Sequence, residues 1–322
     1  MQLISYWNIV MGALAIVSNI PNLLILGAQK SLSPYIYMTW IAACDTLCGV
    51  AFVWYGVIYH HDFVCASPGL RWVSSWSRIP MFFLTNALLT SSSYLLVALG
   101  VDRLIAVRYP LKRALWCTKK TAHITSLVLV IAGIVVNVQI LPRFEPSEES
   151  VPWCDVTIPK MTYTKIGLKP VVHKLAQNFK FVFKQALPLL CLVVTSIWTL
   201  FELAKSFRFR QRVGTNREKA EKNPCLGMSI GIIMVFILTN IGPSVYALSN
   251  LAGQKSLSTS YITAMLFGAL STIPGCNIFV NFFVYVLSNS KFRRDLKRLF
   301  SFEGKKSGGN VSQVINQSTS TG

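Results

Sequence analysis

Ser91 to Lys112 reads SSSYLLVALGVDRLIAVRYPLK. An apolar run that begins near residue 77 enters this stretch and stops at Val101, where Asp102 and Arg103 stand side by side. At about 1.5 Å of rise per residue, a helix over 77–101 is longer than the roughly 30 Å hydrocarbon core of a bilayer. The run can therefore cross a membrane. The charged pair then falls at the boundary, where an Arg stem can lie along apolar surface and keep its head in water.

Working outward, the same pattern recurs. Apolar stretches of spanning length occupy about 6–29, 35–59, 77–101, 121–141, 181–204, 225–250 and 261–287. Backbone polar groups find no water at membrane depth, so each stretch is expected to be helical. The fold class is an all-α membrane protein, a seven-transmembrane helix bundle. Pro21, Pro80, Pro188, Pro243 and Pro274 lie inside the spans, where neighbouring helices tolerate a kink. The first stretch lacks a basic flank and a small-residue cleavage site, so it is expected to be a retained span and not a leader.

Composition agrees. Of 322 residues, 52% are hydrophobic and 13% charged, against about 25% charged in a soluble domain. The net charge of +19 does not imply nucleic acid, because the Lys and Arg lie between apolar runs and not on one soluble face. Cys44 and Cys48 share a helix face inside an apolar run, where free Cys behaves as a small hydrophobe.

Loop charge orients the bundle. The loops after spans one, three and five, with the carboxyl-terminal segment, hold 21 Lys and Arg; the opposite side holds nine. The richer side is expected in the cytoplasm, with the amino end outside. The loop over about 142–180 is the longest, and its prolines (142, 146, 152, 159, 170) exclude a single helix. Lys291–Phe300 reads KFRRDLKRLF, with Phe292, Leu296, Leu299 and Phe300 at helical spacing, which predicts a short amphipathic eighth helix on the lipid surface. The domain organisation is then 1–300 for the membrane bundle and 301–322 for a Gly-, Ser-, Asn- and Thr-rich tail expected to be disordered.

Ionisable groups at membrane depth are costly and point to function. Asp45 lies ten residues into span two. Asn19, Ser92, Asn277 and Asn281 fall at comparable depth on other spans. They can converge on Asp45, or each can simply join two helices.

With these residues in place, the chain resembles the rhodopsin-like (class A) G-protein-coupled receptors over about residues 6–300. Ser91–Lys112 is similar to that family's Asp-Arg-Tyr segment, with Leu104 in place of the Tyr. Asn281-Phe-Phe-Val-Tyr285 is similar to its Asn-Pro-x-x-Tyr, with Phe282 in place of the Pro. Asn19 and Asp45, and Pro188 and Pro243, stand at the family's positions. Departures include Ile241 for the usual Trp of helix six, Ser196 for a helix-five Tyr, and Arg78 for the Cys at the outer end of helix three. Thr85 replaces the Asp of amine receptors, and Gly275 replaces the retinal-binding Lys of opsins. Within the class, the chain resembles invertebrate FMRFamide-type neuropeptide receptors and nematode chemosensory receptors.

The resemblance implies a set of roles. Asp102, Arg103 and Tyr285 serve activation and coupling to a heterotrimeric G protein, with Arg103 held at rest by Asp102. The family's second acid falls at Asn223, with Glu221 the nearest carboxylate. Asp45, Ser92, Asn277 and Asn281 match a pocket for an allosteric sodium ion, and no other cofactor is implied. Thr85, Asn86, Lys184 and Tyr246 are candidates for the pocket of an extracellular peptide or small-molecule ligand; Lys184 can pair with a ligand acid or extend to the interface. Cys65 is the candidate disulfide partner of Cys154. Ser318, Thr319, Ser320 and Thr321 are candidate kinase targets for arrestin recruitment. The expected location is the plasma membrane, and no enzyme motif is present. A transporter or ligand-gated channel is the rival class, although the sequence shows no inverted repeat.

Overall fold

The computed structural model describes residues 2–29, 32–151, 156–212, 224–251 and 273–300. The first helix, α1 (Gln2–Ala28), packs against α2 (Ser33–Tyr59), which has Pro34 in its first turn, where a missing N–H costs nothing. Gly12 of α1 meets Gly49 of α2, and Gly56 meets the Ser5 carbonyl, so the two helices run antiparallel in close contact. A one-turn helix, α3 (His61–Ala66), leads into α4 (Pro68–Arg108).

The third span is longer than the apolar pattern predicts. α4 runs unbroken for 41 residues through Pro80. Its first turn starts with a proper cap: Ser67 Oγ accepts from Leu70 N at 3.3 Å, with Pro68 at the first helical position. Hydropathy detects the lipid-embedded part of a helix and misses the turns that extend beyond it.

After the short α5 (Pro110–Trp116), α6 (Lys119–Asn137) is capped by Thr118, whose Oγ1 accepts from Thr121 N at 3.1 Å. A 3-10 turn, Val138–Arg143, ends it around Pro142. The long loop then forms an antiparallel hairpin, β1 (Phe144–Val151) with β2 (Val156–Tyr163), in which Phe144 faces Tyr163. The loop's last ten residues are helical, where the sequence reading continued the loop to 180. α7 (Pro170–Phe179) begins on Pro170, whose fixed φ suits a first turn. A π-helical segment, Lys180–Ala186, joins it to α8 (Leu187–Arg212).

α9 (Pro224–Leu251) is the sixth span. A 3-10 turn, Ile273–Cys276, leads into α10 (Asn277–Ser288), the second part of the seventh; the first part of the stretch expected over 261–287 lies outside the described residues. α11 (Ser290–Phe300) is the eighth, amphipathic helix. Asn289 Oδ1 caps it by accepting from Lys291 N and Phe292 N. Phe292 is fully buried against Tyr285. Arg293 Nη1 donates to the Val286 and Leu287 carbonyls left open where α10 ends.

Five described helices are long and apolar enough to cross a membrane, and Ser229–Val245 and Asn277–Ser288 are the apolar parts of the sixth and seventh. The core gathers Leu95 and Leu99 of α4, Leu192 of α8, Ile232 of α9 and Tyr285 of α10. Val17, Phe201 and Leu238 point outward and are about two-thirds exposed, as expected where lipid is the solvent.

Arg78 lies in the first third of α4, where the resemblance leads one to expect a cysteine. It is buried, and its Nη2 donates to the Ile58 carbonyl at 2.7 Å. Its guanidinium lies 4.2 Å from the Tyr59 ring centre. Arg78 thus ties α4 to the carbonyl end of α2. A charge-assisted bond and a cation–π contact together contribute about 2–4 kcal/mol, less the cost of desolvating the cation. Arg78→Ala is expected to lower the melting temperature of the purified chain by several degrees, and Arg78→Lys by less, since Lys lacks the planar fork.

Candidate functional site

Polar side chains meet at three levels of the bundle. At the middle, Asp45 of α2 is 2% exposed. Its Oδ1 accepts from Ser92 Oγ of α4 at 2.9 Å, and its Oδ2 from Asn281 Nδ2 of α10 at 3.0 Å. Among the described residues no Lys or Arg pairs with this carboxylate. Asn277 bonds elsewhere: its Oδ1 accepts from Thr239 Oγ1 of α9 at 2.8 Å. Asn19 joins α1 to α10 through the Ile278 carbonyl and accepts from Asn22. Two polar side chains and one backbone carbonyl of α10 are thus shared between α9, α2 and α1, and any rotation of α10 must break some of these bonds.

At the end of α4 that carries Asp102-Arg103, both side chains are about 95% buried. Asp102 accepts from Arg103 Nη2 and, at 2.6 Å, from Ser33 Oγ at the start of α2. Arg103 lines a cleft with Gly100 of α4, Thr195, Ser196 and Thr199 of α8, and Ile233 of α9. Its Nε is buried without a hydrogen-bond partner. The guanidinium is held by one acid and faces a space between three helices. Tyr285 is fully buried on α10, with its ring packed on Phe292. Glu221 and Asn223 lie outside the described residues.

Toward the other end, Lys184 of the π segment donates to Asn86 Oδ1 of α4. Asn86 Nδ2 donates to the Phe82 carbonyl of its own helix at 2.7 Å, which aims the amide oxygen at Lys184. Thr85 is buried and donates to the Met81 carbonyl. The Tyr246 side chain lies outside the described residues. Cys65 is disulfide-bonded; Cys154 is outside the described residues. Val64 packs on Ile158, with Cys65 and Val156 at the edge of that small cluster.

Sequence reasoning missed several partners. Ser33 holds Asp102, and its signal was a hydroxyl directly before Pro34. Thr239 holds Asn277. Arg108 pairs with Glu202, joining α4 to α8. Asn137 donates to Thr90 at 3.0 Å, joining α6 to α4. These are ordinary residues in apolar helices, and only the packing distinguishes them. Outside the spans, Cys117 lies near Asp102; burial first, then that carboxylate, push its thiol up to about 12. It therefore stays protonated at neutral pH and a poor nucleophile.

A seven-helix membrane bundle with a buried Asp-Arg pair at one boundary, a buried carboxylate at mid-depth and an amphipathic eighth helix has the layout of a rhodopsin-like receptor. The family model described as "Serpentine type 7TM GPCR chemoreceptor Srw" matches residues 6–303, and the chain belongs to that family of G-protein-coupled receptors. It is 26% identical over 259 residues to galanin receptor 2b of Danio rerio, covering 76% of this chain and 62% of that one. It is 23% identical over 303 residues to the FMRFamide receptor of Drosophila melanogaster, covering 90% of this chain and 52% of that one. The chain therefore spans between half and two-thirds of the length of these curated relatives. Family and relatives are receptors, not enzymes.

Proposed function

We propose that the chain transduces binding of an extracellular ligand, a neuropeptide, to a heterotrimeric G protein at the plasma membrane, with its amino end outside and its Arg103 end in the cytoplasm. The single observation that carries this reading is the buried Asp102–Arg103 pair facing the cleft between α4, α8 and α9. A ligand acts only through different affinities for two states. Release of Arg103 from Asp102 would place a cation where a partner helix can enter once α9 moves. The two relatives, a galanin receptor and an FMRFamide receptor, favour a peptide ligand. The family's description as a chemoreceptor favours the second reading, a small odorant.

Three further assignments accompany the proposal. Cys65 pairs with Cys154, supported by the packing of Val64 on Ile158, two residues into β2 and four beyond Cys154. The carboxyl-terminal Ser318, Thr319, Ser320 and Thr321 are phosphorylated and recruit an arrestin. Asp45, with the oxygens of Ser92 and Asn281, holds a sodium ion. A buried carboxylate without a basic partner must bind a proton or a cation, and one acid with neutral oxygens suits a hard monovalent ion. Asn277 would join the set only after leaving Thr239.

The test is expression with a promiscuous G protein and a screen of neuropeptides, then odorants, read as nucleotide exchange. Ligand-evoked exchange is expected. Ligand-evoked current without exchange would overturn the reading in favour of a channel. For the ion, sodium in place of choline is expected to raise the melting temperature of the wild type and not of Asp45→Asn. Equal sodium sensitivity in the two would sink the assignment.

A further inference from the structure

Lys184 sits at membrane depth, inside the continuous helical stretch Pro170–Ser206. An ammonium there is costly unless its donors are satisfied and its charge is balanced. It has three N–H donors. The described residues offer them one acceptor, Asn86 Oδ1, and no carboxylate within ion-pair distance. A long Lys on a span ordinarily extends to the interface. This one instead turns inward to α4.

The backbone is built for that direction. Lys184 falls inside the π-helical segment Lys180–Ala186. A π turn shifts the rotational register of every residue it contains, and such insertions gather at functional sites. The segment is also pinned at a second point on the same face of α4: Tyr94 Oη donates to the Phe183 carbonyl at 2.8 Å. Asn86 and Tyr94 lie eight residues apart, about two turns, so both project toward the segment. Asn86 is itself locked by its bond to Phe82. The cation is thus held in one orientation, with two donors left over.

We infer that Lys184 and Asn86 form the anchor for an anionic group of the ligand, a carboxylate, which supplies the missing charge and acceptors. This inference rests on the receptor reading for the word ligand, but the site stands on its own geometry. One ammonium beside one neutral amide matches a single negative charge. Asn86 discriminates little by itself, since a bound amide could donate to it; Lys184, donor only, would leave such an amide's N–H unmatched. Leaving out Arg78, which is committed to Ile58 and Tyr59, the segments on this side of the bundle carry eight basic residues, Arg143 and Lys180 among them, against five acids, so the approach field also favours an anion.

The test uses the full chain in lipid nanodiscs and simple probes: hexanoate against hexanamide, and benzoate against benzamide, at matched ionic strength. The carboxylates are expected to raise the wild-type melting temperature by about 2–4 °C at saturation, and the amides not to. Lys184→Gln is expected to lose that rise and Lys184→Arg to keep it. Asn86→Asp supplies the anion from α4, so it is expected to raise the ligand-free melting temperature and abolish the carboxylate response. A merely structural role for Lys184 would not produce that pair of effects. No carboxylate shift in the wild type, an equal shift with the amides, or an undiminished shift in Lys184→Gln would overturn the inference. A carboxylate shift that depends on Lys184 in a chain that never drives nucleotide exchange supports the site and counts against the receptor reading alone.

Discussion

Gly12→Ala is expected to lower the melting temperature of the full chain, although alanine is the better helix former. In an open helical position the exchange would stabilise by about 1 kcal/mol. At Gly12 the added Cβ would lie 2.5 Å from the Gly49 carbonyl oxygen and 2.7 Å from the Val53 nitrogen. Both are backbone atoms of α2 and cannot rotate away. α1 and α2 must therefore separate, which also opens the contacts of Gly49 with the Gly12 carbonyl and of Gly56 with the Ser5 carbonyl. Overpacking of this kind costs about 1–3 kcal/mol, and more where backbone must move, so the clash exceeds the propensity gain. A loss of several degrees is expected for alanine and no recoverable folded chain for leucine. Gly27→Ala is the control, because a Cβ there meets nothing within 4 Å. It is expected to be neutral or slightly stabilising. A drop at Gly27 equal to that at Gly12 would show that the seam between α1 and α2 is not the cause.

The second large effect is functional. Arg103→Ala is expected to reduce ligand-driven nucleotide exchange at least about tenfold, a loss of about 1.4 kcal/mol or more in coupling. The substitution also leaves Asp102 buried with only the neutral side chains of Ser33 and Cys117 beside it among the described residues, and breaking a buried pair costs about 3–5 kcal/mol. Lost folding could therefore imitate lost coupling. Asp102→Asn/Arg103→Ala separates them, since the neutral amide can still accept from Ser33. The double variant is expected to fold and bind ligand but not to couple. Asp102→Asn alone is expected to raise basal exchange several-fold, because Arg103 loses its charged partner and keeps its place on the cleft. Unchanged exchange in Arg103→Ala would remove the basis of the proposed function.

The spans were legible because hydropathy and loop charge are summed over twenty or more residues, and single departures do not disturb the sum. Asp45, Ser92 and Asn281 were legible as a set because an ionisable group in lipid has few innocent explanations. Arg78 was legible only as the absence of a cysteine. Its bond to Ile58 and its position over Tyr59 depend on two residues at the end of another helix, and nothing local in the sequence points to them. Asn277 shows the same limit from the other side. Its spacing from Asn281 puts it on the Asp45 face, but the packing of α9 brings Thr239 closer.

Residue order alone determined a membrane chain of seven apolar helices with an amphipathic eighth, since bilayer thickness and backbone satisfaction allow no other use for such segments. It also determined that Asp45, Asp102 and Arg103 needed partners. Which partners they took was decided by tertiary structure: Ser33 for Asp102, Ser92 and Asn281 for Asp45. The direction of Lys184 was decided the same way. From sequence it was free to extend to the interface or turn inward. The π segment at 180–186 and the locked amide of Asn86 turned it inward, because a side chain's direction depends on the register of its helix against its neighbours, and a single inserted residue changes that register without changing the hydropathy.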